Sequence, residues 1–282
     1  MDPPAPLRLA GTVDPEQLGI GTITFVGTAT TLIRCGGFTF LTDPNFLHQG
    51  EHAKLGYGLR SRRLTEPAMS IDDLPELDFV VLSHHHGDHF DEVAAARLPR
   101  GLPIVTEPHA ADKLRRQGFT DPRPLRTWDT QVVERPPATV SITAVPGRHA
   151  PQPLHRLLPP VMGSILDFTA DAAPRIRMYI TGDTLYYDGL RDIASRFDEI
   201  DLCLLHLGGT RIAGITLTMD GAQGVRALRL IQPDRAIPIH YDDYTVFKSS
   251  LDDFRRAAEA ADLATEIVTL ARGESYELRP RR

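Results

Sequence analysis

The sequence predicts an α/β layered fold, and three observations carry that prediction. Short apolar strands alternate with helical stretches. One run, Asp78 to Ser83, is continuously apolar, as in strands buried on both faces. Several such strands end in a histidine or an aspartate, where α/β folds place their sites.

The elements follow in chain order. Residues 1 to 20, rich in Pro and Gly, read as an N-terminal arm. Ile23 to Pro44 holds two β-branched apolar stretches around Gly36-Gly37, a dipeptide that tolerates positive φ and so predicts a hairpin. Residues 45 to 77 are polar and mixed and read as a long loop, with a basic cluster at Arg60, Arg62 and Arg63. After the strand at Asp78 to Ser83 come a helix over Phe90 to Arg97, a strand at Pro103 to Thr106 and a helix over His109 to Gln117. The second half opens with a strand, Thr139 to Pro146, then a loop from Gly147 to Pro160. Met162 to Phe168 and Ile176 to Asp183 read as paired strands, and Asp201 to Leu207 as another. Ala222, Val225, Leu228 and Ile231 fall at helical spacing within Asp220 to Ile231. A strand from Arg235 carries His240, and an amphipathic helix covers Leu251 to Ala261.

Phe38 to Asp43 and Met178 to Asp183 echo each other, each ending the second strand of a hairpin in Asp. No low-complexity linker divides the chain, so the expectation is a single domain, residues 1 to 282, built from two similar halves. With 41% hydrophobic and 24% charged residues, the composition is globular. A net charge of −6 gives no reason to expect a nucleic-acid partner. The first residues lack a cationic n-region and an apolar h-region, and no run reaches the ~20 apolar residues of a membrane span. A cytoplasmic protein without a transmembrane segment is therefore expected. Two cysteines, Cys35 and Cys203, supply neither a disulfide framework nor a thiolate cage, and read as buried small hydrophobes.

Four of the eleven histidines lie in His84-His85-His86-Gly87-Asp88-His89. In extended backbone His84 and His86 share a side, while His85 points away. Gly87 permits a sharp turn that swings Asp88 and His89 towards an adjacent point. Imidazole and carboxylate are donors for zinc and related divalent ions. Three further donors, His149, Asp183 and His240, each follow an apolar strand. For each alone, a hydrogen-bonded loop residue is an equal reading; together with the cluster they read as ligands. Nitrogen and oxygen ligation without thiolate suits zinc, manganese or iron.

This pattern resembles the metallo-β-lactamase superfamily. The branch it is most similar to holds N-acylphosphatidylethanolamine-hydrolysing phospholipase D and the L-ascorbate-6-phosphate lactonases. The stretches FVGTATTLIRCGGFTFLTDPNF, DDLPELDFVVLSHHHGDHFD, VPGRH, MGSILDF, YITGDT and IPIHY carry the resemblance. It implies a four-layer αββα sandwich with two divalent metal ions, zinc foremost. His84, His86 and His149 would bind the first; Asp88, His89 and His240 the second; Asp183 would bridge them. Asp43 would orient ligands from behind. The chain departs from the branch at Gly27-Thr28-Ala29-Thr30, where Gly-His-Ala-Thr is common, and in the proline-rich stretch after His149.

The implied activity is hydrolysis of a phosphodiester or a lactone-type ester by hydroxide that the two ions activate, with Asp88 orienting the water and moving its proton. A nuclease of the same superfamily and a diiron oxidoreductase-type site are the alternatives. The expected partner is a small-molecule substrate, and a homo-oligomer is compatible with the sequence. His206, Arg148, His155 and Arg156 are candidates for substrate contacts, the basic ones towards an anionic group. A satisfied buried histidine and solvated loop charges are the competing readings, and the Arg60 cluster is treated alike. Tyr241, Asp242 and Tyr244 are expected at the pocket rim.

Overall fold

The computed structural model describes residues 4–56, 58–156, 158–171 and 173–278. The first half runs β1 (Leu7–Arg8), β2 (Gly21–Gly27), β3 (Thr30–Cys35), β4 (Phe38–Thr42), β5 (His52–Gly56), β6 (Leu59–Arg62), β7 (Phe79–Leu82), α1 (Glu92–Arg97), β8 (Ile104–Thr106), α2 (Pro108–Arg116) and β9 (Pro122–Pro124). The second half runs β10 (Thr130–Arg135), β11 (Ala138–Pro146), β12 (Met162–Ala170), β13 (Ala173–Ile180), α3 (Leu190–Arg196), β14 (Leu202–His206), β15 (Arg211–Ile212), β16 (Ile215–Thr216), α4 (Gly221–Ile231), β17 (Arg235–Ile239), α5 (Leu251–Glu259), β18 (Glu266–Ile267) and β19 (Ser275–Leu278).

Two mixed sheets result. One has the order β19-β2-β3-β4-β7-β8-β9, the other β1-β10-β11-β12-β13-β14-β17-β18. The internal echo is topological. In the first sheet β2, β3 and β4 are antiparallel, and β7, β8 and β9 follow in parallel. In the second, β11, β12 and β13 are antiparallel, and β14, β17 and β18 follow in parallel. Asp43 and Asp183 thus leave equivalent strands.

Alternation of side chains sorts the apolar residues into layers. Phe79 and Val81 of β7 point inward with Phe25, Ile33 and Phe40, against Ile142, Leu166, Met178, Leu204 and Ile237 of the other sheet. Val80 and Leu82 point outward beneath Ala94 of α1 and Leu114 of α2. On the opposite face Ile165, Tyr179 and Leu205 meet Ile193, Val225, Leu228 and Phe254 of α3, α4 and α5. The order helix, sheet, sheet, helix is the αββα sandwich.

Several expectations are corrected. The arm is pinned to the second sheet: β1 pairs in parallel with β10, and Val13 is buried. Ile23 to Pro44 lies in three strands, not two, because the chain reverses at Gly27 to Ala29 as well as at Gly36-Gly37. Gly37 has φ +82°, and a Cβ there would strike Val13. The loop of residues 45 to 77 contains the β5–β6 hairpin, in which Ala53 and Leu55 turn inward while His52 and Lys54 stay exposed. Strand β10 and helix α3 were also not legible as elements.

Candidate metal centre

The parallel strands of both sheets end on one edge of the sandwich, and their ends carry the histidines and aspartates. His84 follows β7 and His149 follows β11. Asp183 follows β13, and His240 follows β17. His84 Nε2 and His86 Nδ1 stand 2.9 Å apart. The His149 ring centroid lies 5.2 Å from that of His84 and 5.3 Å from that of His86. These three, and separately Asp88, His89, Asp183 and His240, each offer donor atoms within 4.8 Å of one another. Asp183 stands between the two groups: Oδ2 is 3.2 Å from His89 Nε2 and 3.8 Å from His149 Nδ1, and Oδ1 is 3.5 Å from His240 Nδ1.

Buried polar atoms are ordinarily hydrogen-bonded. Here His86 Nε2, Asp88 Oδ1, His89 Nε2, His149 Nδ1, Asp183 Oδ1 and His240 Nε2 are buried without a hydrogen bond. Six orphaned donor atoms on one edge, all nitrogen or oxygen, fit divalent cations. Each group can therefore hold an ion.

Charge is arranged to suit. Burial is the largest influence on His84, His86 and His149. It lowers all three, His86 to about 3, so their rings are neutral and ligand-competent. Burial opposes charge on Asp183 and Asp88 too, but His240 and His89 beside the first, and His89 and His240 beside the second, outweigh it and keep both ionised. His89 and His240 are raised despite burial, because Asp183 faces both, so a cation entering this group would displace their protons.

Asp43 sits behind this layer. Its carboxylate accepts from Ser83 N–H at 2.7 Å and from the Ser83 hydroxyl at 2.9 Å, and it lies 3.1 Å from His89 Nδ1. His206 completes a third cluster with Asp43 and His89, but its atoms are committed. Nδ1 is 3.2 Å from Thr181 Oγ1, and Nε2 is 3.4 Å from Asp43 Oδ2. Asp43 is held down to about 2; burial pushes upward, and the His89 and His206 rings outweigh it.

A family profile described as a beta-lactamase superfamily domain matches residues 39–241. The chain belongs to that superfamily. A metal-dependent hydrolase of Carboxydothermus hydrogenoformans is 28% identical over 254 residues, 87% of this chain and 96% of that one. An N-acyl-phosphatidylethanolamine-hydrolyzing phospholipase D of Caenorhabditis elegans is 25% identical, over 90% of this chain and 75% of its own. Among solved structures, an isothiocyanate hydrolase from Delia radicum gut bacteria superposes with a TM-score of 0.76 at 22% identity. That match covers 92% of this chain and 99% of the other.

Within this superfamily fold the turn expected at Gly87 is present, with His86 O accepting from His89 N–H at 3.0 Å and from Phe90 N–H at 2.7 Å, and close packing adds a second demand for glycine there. Gly87 is not at positive φ; its N–H donates to Lys54 O at 2.9 Å, and a Cβ would stand 2.5 Å from Lys54 N. His85 points away to Gln117, 3.1 Å from its Oε1. The substrate candidates lie as follows. His206 has no exposed surface and lies in the layer behind the donors. Arg148 stacks on Tyr187, 4.0 Å from the ring centroid. His155 occupies a short turn, Leu154–Arg156, and the side chain of Arg156 lies outside the described residues.

Sequence reasoning also missed a buried polar network. Arg63, expected on a solvated loop, has no exposed surface. Its guanidinium donates to Asn45 O at 3.2 Å and to Thr65 O at 3.1 Å, and lies 3.8 Å from Asp243 Oδ1. Tyr244, expected at the rim, is buried and donates to Asn45 Oδ1 at 3.0 Å. Asp243 Oδ2 accepts from Thr28 N–H at 2.8 Å, and Thr28 O accepts from His240 N–H at 2.8 Å. Thr28 and His240 are held at φ +52° and +63°, in the left-handed region, which a β-branched residue such as Thr28 rarely enters. The Asp pair after His240 was the available signal. Nothing local separates Arg63 from Arg60 and Arg62.

Proposed function

We propose that the protein is a metal-dependent hydrolase with two cation sites, acting on a phosphodiester or a lactone-type ester. The observation that carries this reading is the convergence of six orphaned, buried nitrogen and oxygen atoms from four strand ends. In this reading His84, His86 and His149 hold one divalent ion; Asp88, His89 and His240 hold the other; and Asp183 serves both. Zinc fits this donor set, as do manganese and iron. Bound divalent ions at such donors supply Lewis acidity and a water of lowered pKa.

The chain's own residues do the rest. Asp88 Oδ1, without a hydrogen bond, orients the attacking water and accepts its proton. Asp43, fixed by Ser83, sets the His89 ring. The apolar core shared by both sheets supports reading the whole chain as one domain. Among the described residues no helix is long and apolar enough to cross a membrane.

Metal analysis of gently purified protein is expected to give one to two divalent ions per chain, and less than one overturns the reading. General-base steps contribute about 10²- to 10⁴-fold. An Asp88→Ala, Asp183→Ala double variant should lose at least that much hydrolysis, and undiminished turnover removes both assignments.

A further inference from the structure

We propose that this site takes a substrate whose group beside the candidate cation sites is short, apolar and uncharged. Calling the ligand a substrate rests on the hydrolase reading; the pocket argument does not. A cavity of about 200 Å³ opens beside His86, Asp88, His149 and Asp183. Its remaining wall is formed mainly by Leu55, Leu154, Leu158, Ile212, Ile215 and Leu217. Three elements meet there: the β5–β6 hairpin, the turn after His149 and the β15–β16 hairpin. Leu59, at the mouth, is 41% exposed, one of three large hydrophobic side chains left so among the described residues.

No Lys or Arg among the described residues lines this cavity. Arg148, one of the expected cations, lies over the Tyr187 ring and is not part of the wall. An anionic tail would lose its hydration against leucine and isoleucine with no protein counter-charge, which costs several kcal/mol. An apolar group gains from the same wall. A cavity of about 150 Å³ lined by such residues holds benzene, so this one takes a group of that size and not a whole long acyl chain. A larger cavity, about 630 Å³, shares His86 and Leu158 with this one and is lined by His52, Lys54, His109 and Lys113, but by none of Asp88, His149 or Asp183. With an ester bearing such a group, water adds across the acyl C–O bond. The hydroxyl goes to the carbonyl carbon, and the proton goes to the departing alkoxide.

Two measurements on the full chain test this. Linear alcohols from propanol to hexanol are titrated calorimetrically, without turnover. At about 0.8 kcal/mol per methylene, Kd should fall about fourfold per added carbon. Ile215→Lys, on a half-buried hairpin position, should raise the hexanol Kd at least tenfold, with circular dichroism checking the fold. Length-independent affinity, or an unchanged Kd in the folded variant, overturns the pocket. On metal-loaded protein, a neutral butyrate ester should have a higher kcat/KM than the matching succinate half-ester, whose acyl group ends in a carboxylate; the reverse order overturns the preference for an uncharged group. Alcohol binding with the expected increments but no metal uptake sinks only the hydrolase reading.

Discussion

Replacing Arg63 with Met should cost both stability and metal affinity. Arg63 and Asp243 are each without exposed surface, and removing one member of a buried ion pair costs about 3–5 kcal/mol. Asp243 keeps Arg272 Nε at 3.1 Å and the Thr28 N–H, so the lower figure, about 3 kcal/mol, applies. Unfolding entropy of about 2.1 cal/mol/K per residue gives about 0.6 kcal/mol/K over the 282 residues. The melting temperature should therefore fall by about 5 °C. The loss also reaches the candidate centre, because Asp243 holds Thr28 and Thr28 holds the His240 backbone. Partners behind a ligand are worth about 10- to 100-fold in metal affinity. Calorimetry and a competing-chelator titration read the two effects, with exposed Arg62→Met as the control. A melting temperature within 1 °C of the parent, together with unchanged affinity, would refute the argument.

Three other outcomes follow from the structure. Gly87→Ala must push the β5 backbone away from its Cβ, at about 1–3 kcal/mol, so the melting temperature should drop by about 2–5 °C; no drop would mean that β5 yields freely. Stripping divalent ions from protein held at 100 times Kd should remove about 2.7 kcal/mol per occupied site, about 5 °C each, and a chelator-insensitive melt would argue against bound metal. Glu107 caps α2, accepting from His109 N–H at 2.6 Å, and burial raises its carboxyl to about 7 from 4.5. Its folded form then binds a proton the unfolded chain releases, so its contribution is full below about 4.5 and is lost as pH rises through about 7. Glu107→Gln should flatten the melting temperature between pH 5 and 8, and an unaltered slope would assign the dependence to other groups.

The donors were legible because their signals are local. His84 and His86 share a side through the period of an extended strand, and a buried strand such as Phe79 to Leu82 announces its own end. The same locality revealed the Gly36-Gly37 turn and the helical spacing in α4. Partnership across the fold has no such signature. Arg63 and Arg62 are adjacent and alike, yet one is sealed against Asp243 and the other exposed, because only the packing of the β5–β6 hairpin on residues 243 to 245 distinguishes them. Arg148 read equally as a solvated loop charge or an anion contact, and only the fold brings the Tyr187 ring against it. The sequence by itself determined which atoms can bind metal, since donor chemistry is intrinsic to the residue. Tertiary structure decided which of them converge, what supports them and what kind of wall faces them, since burial and distance belong to the packed sheets and not to any single segment.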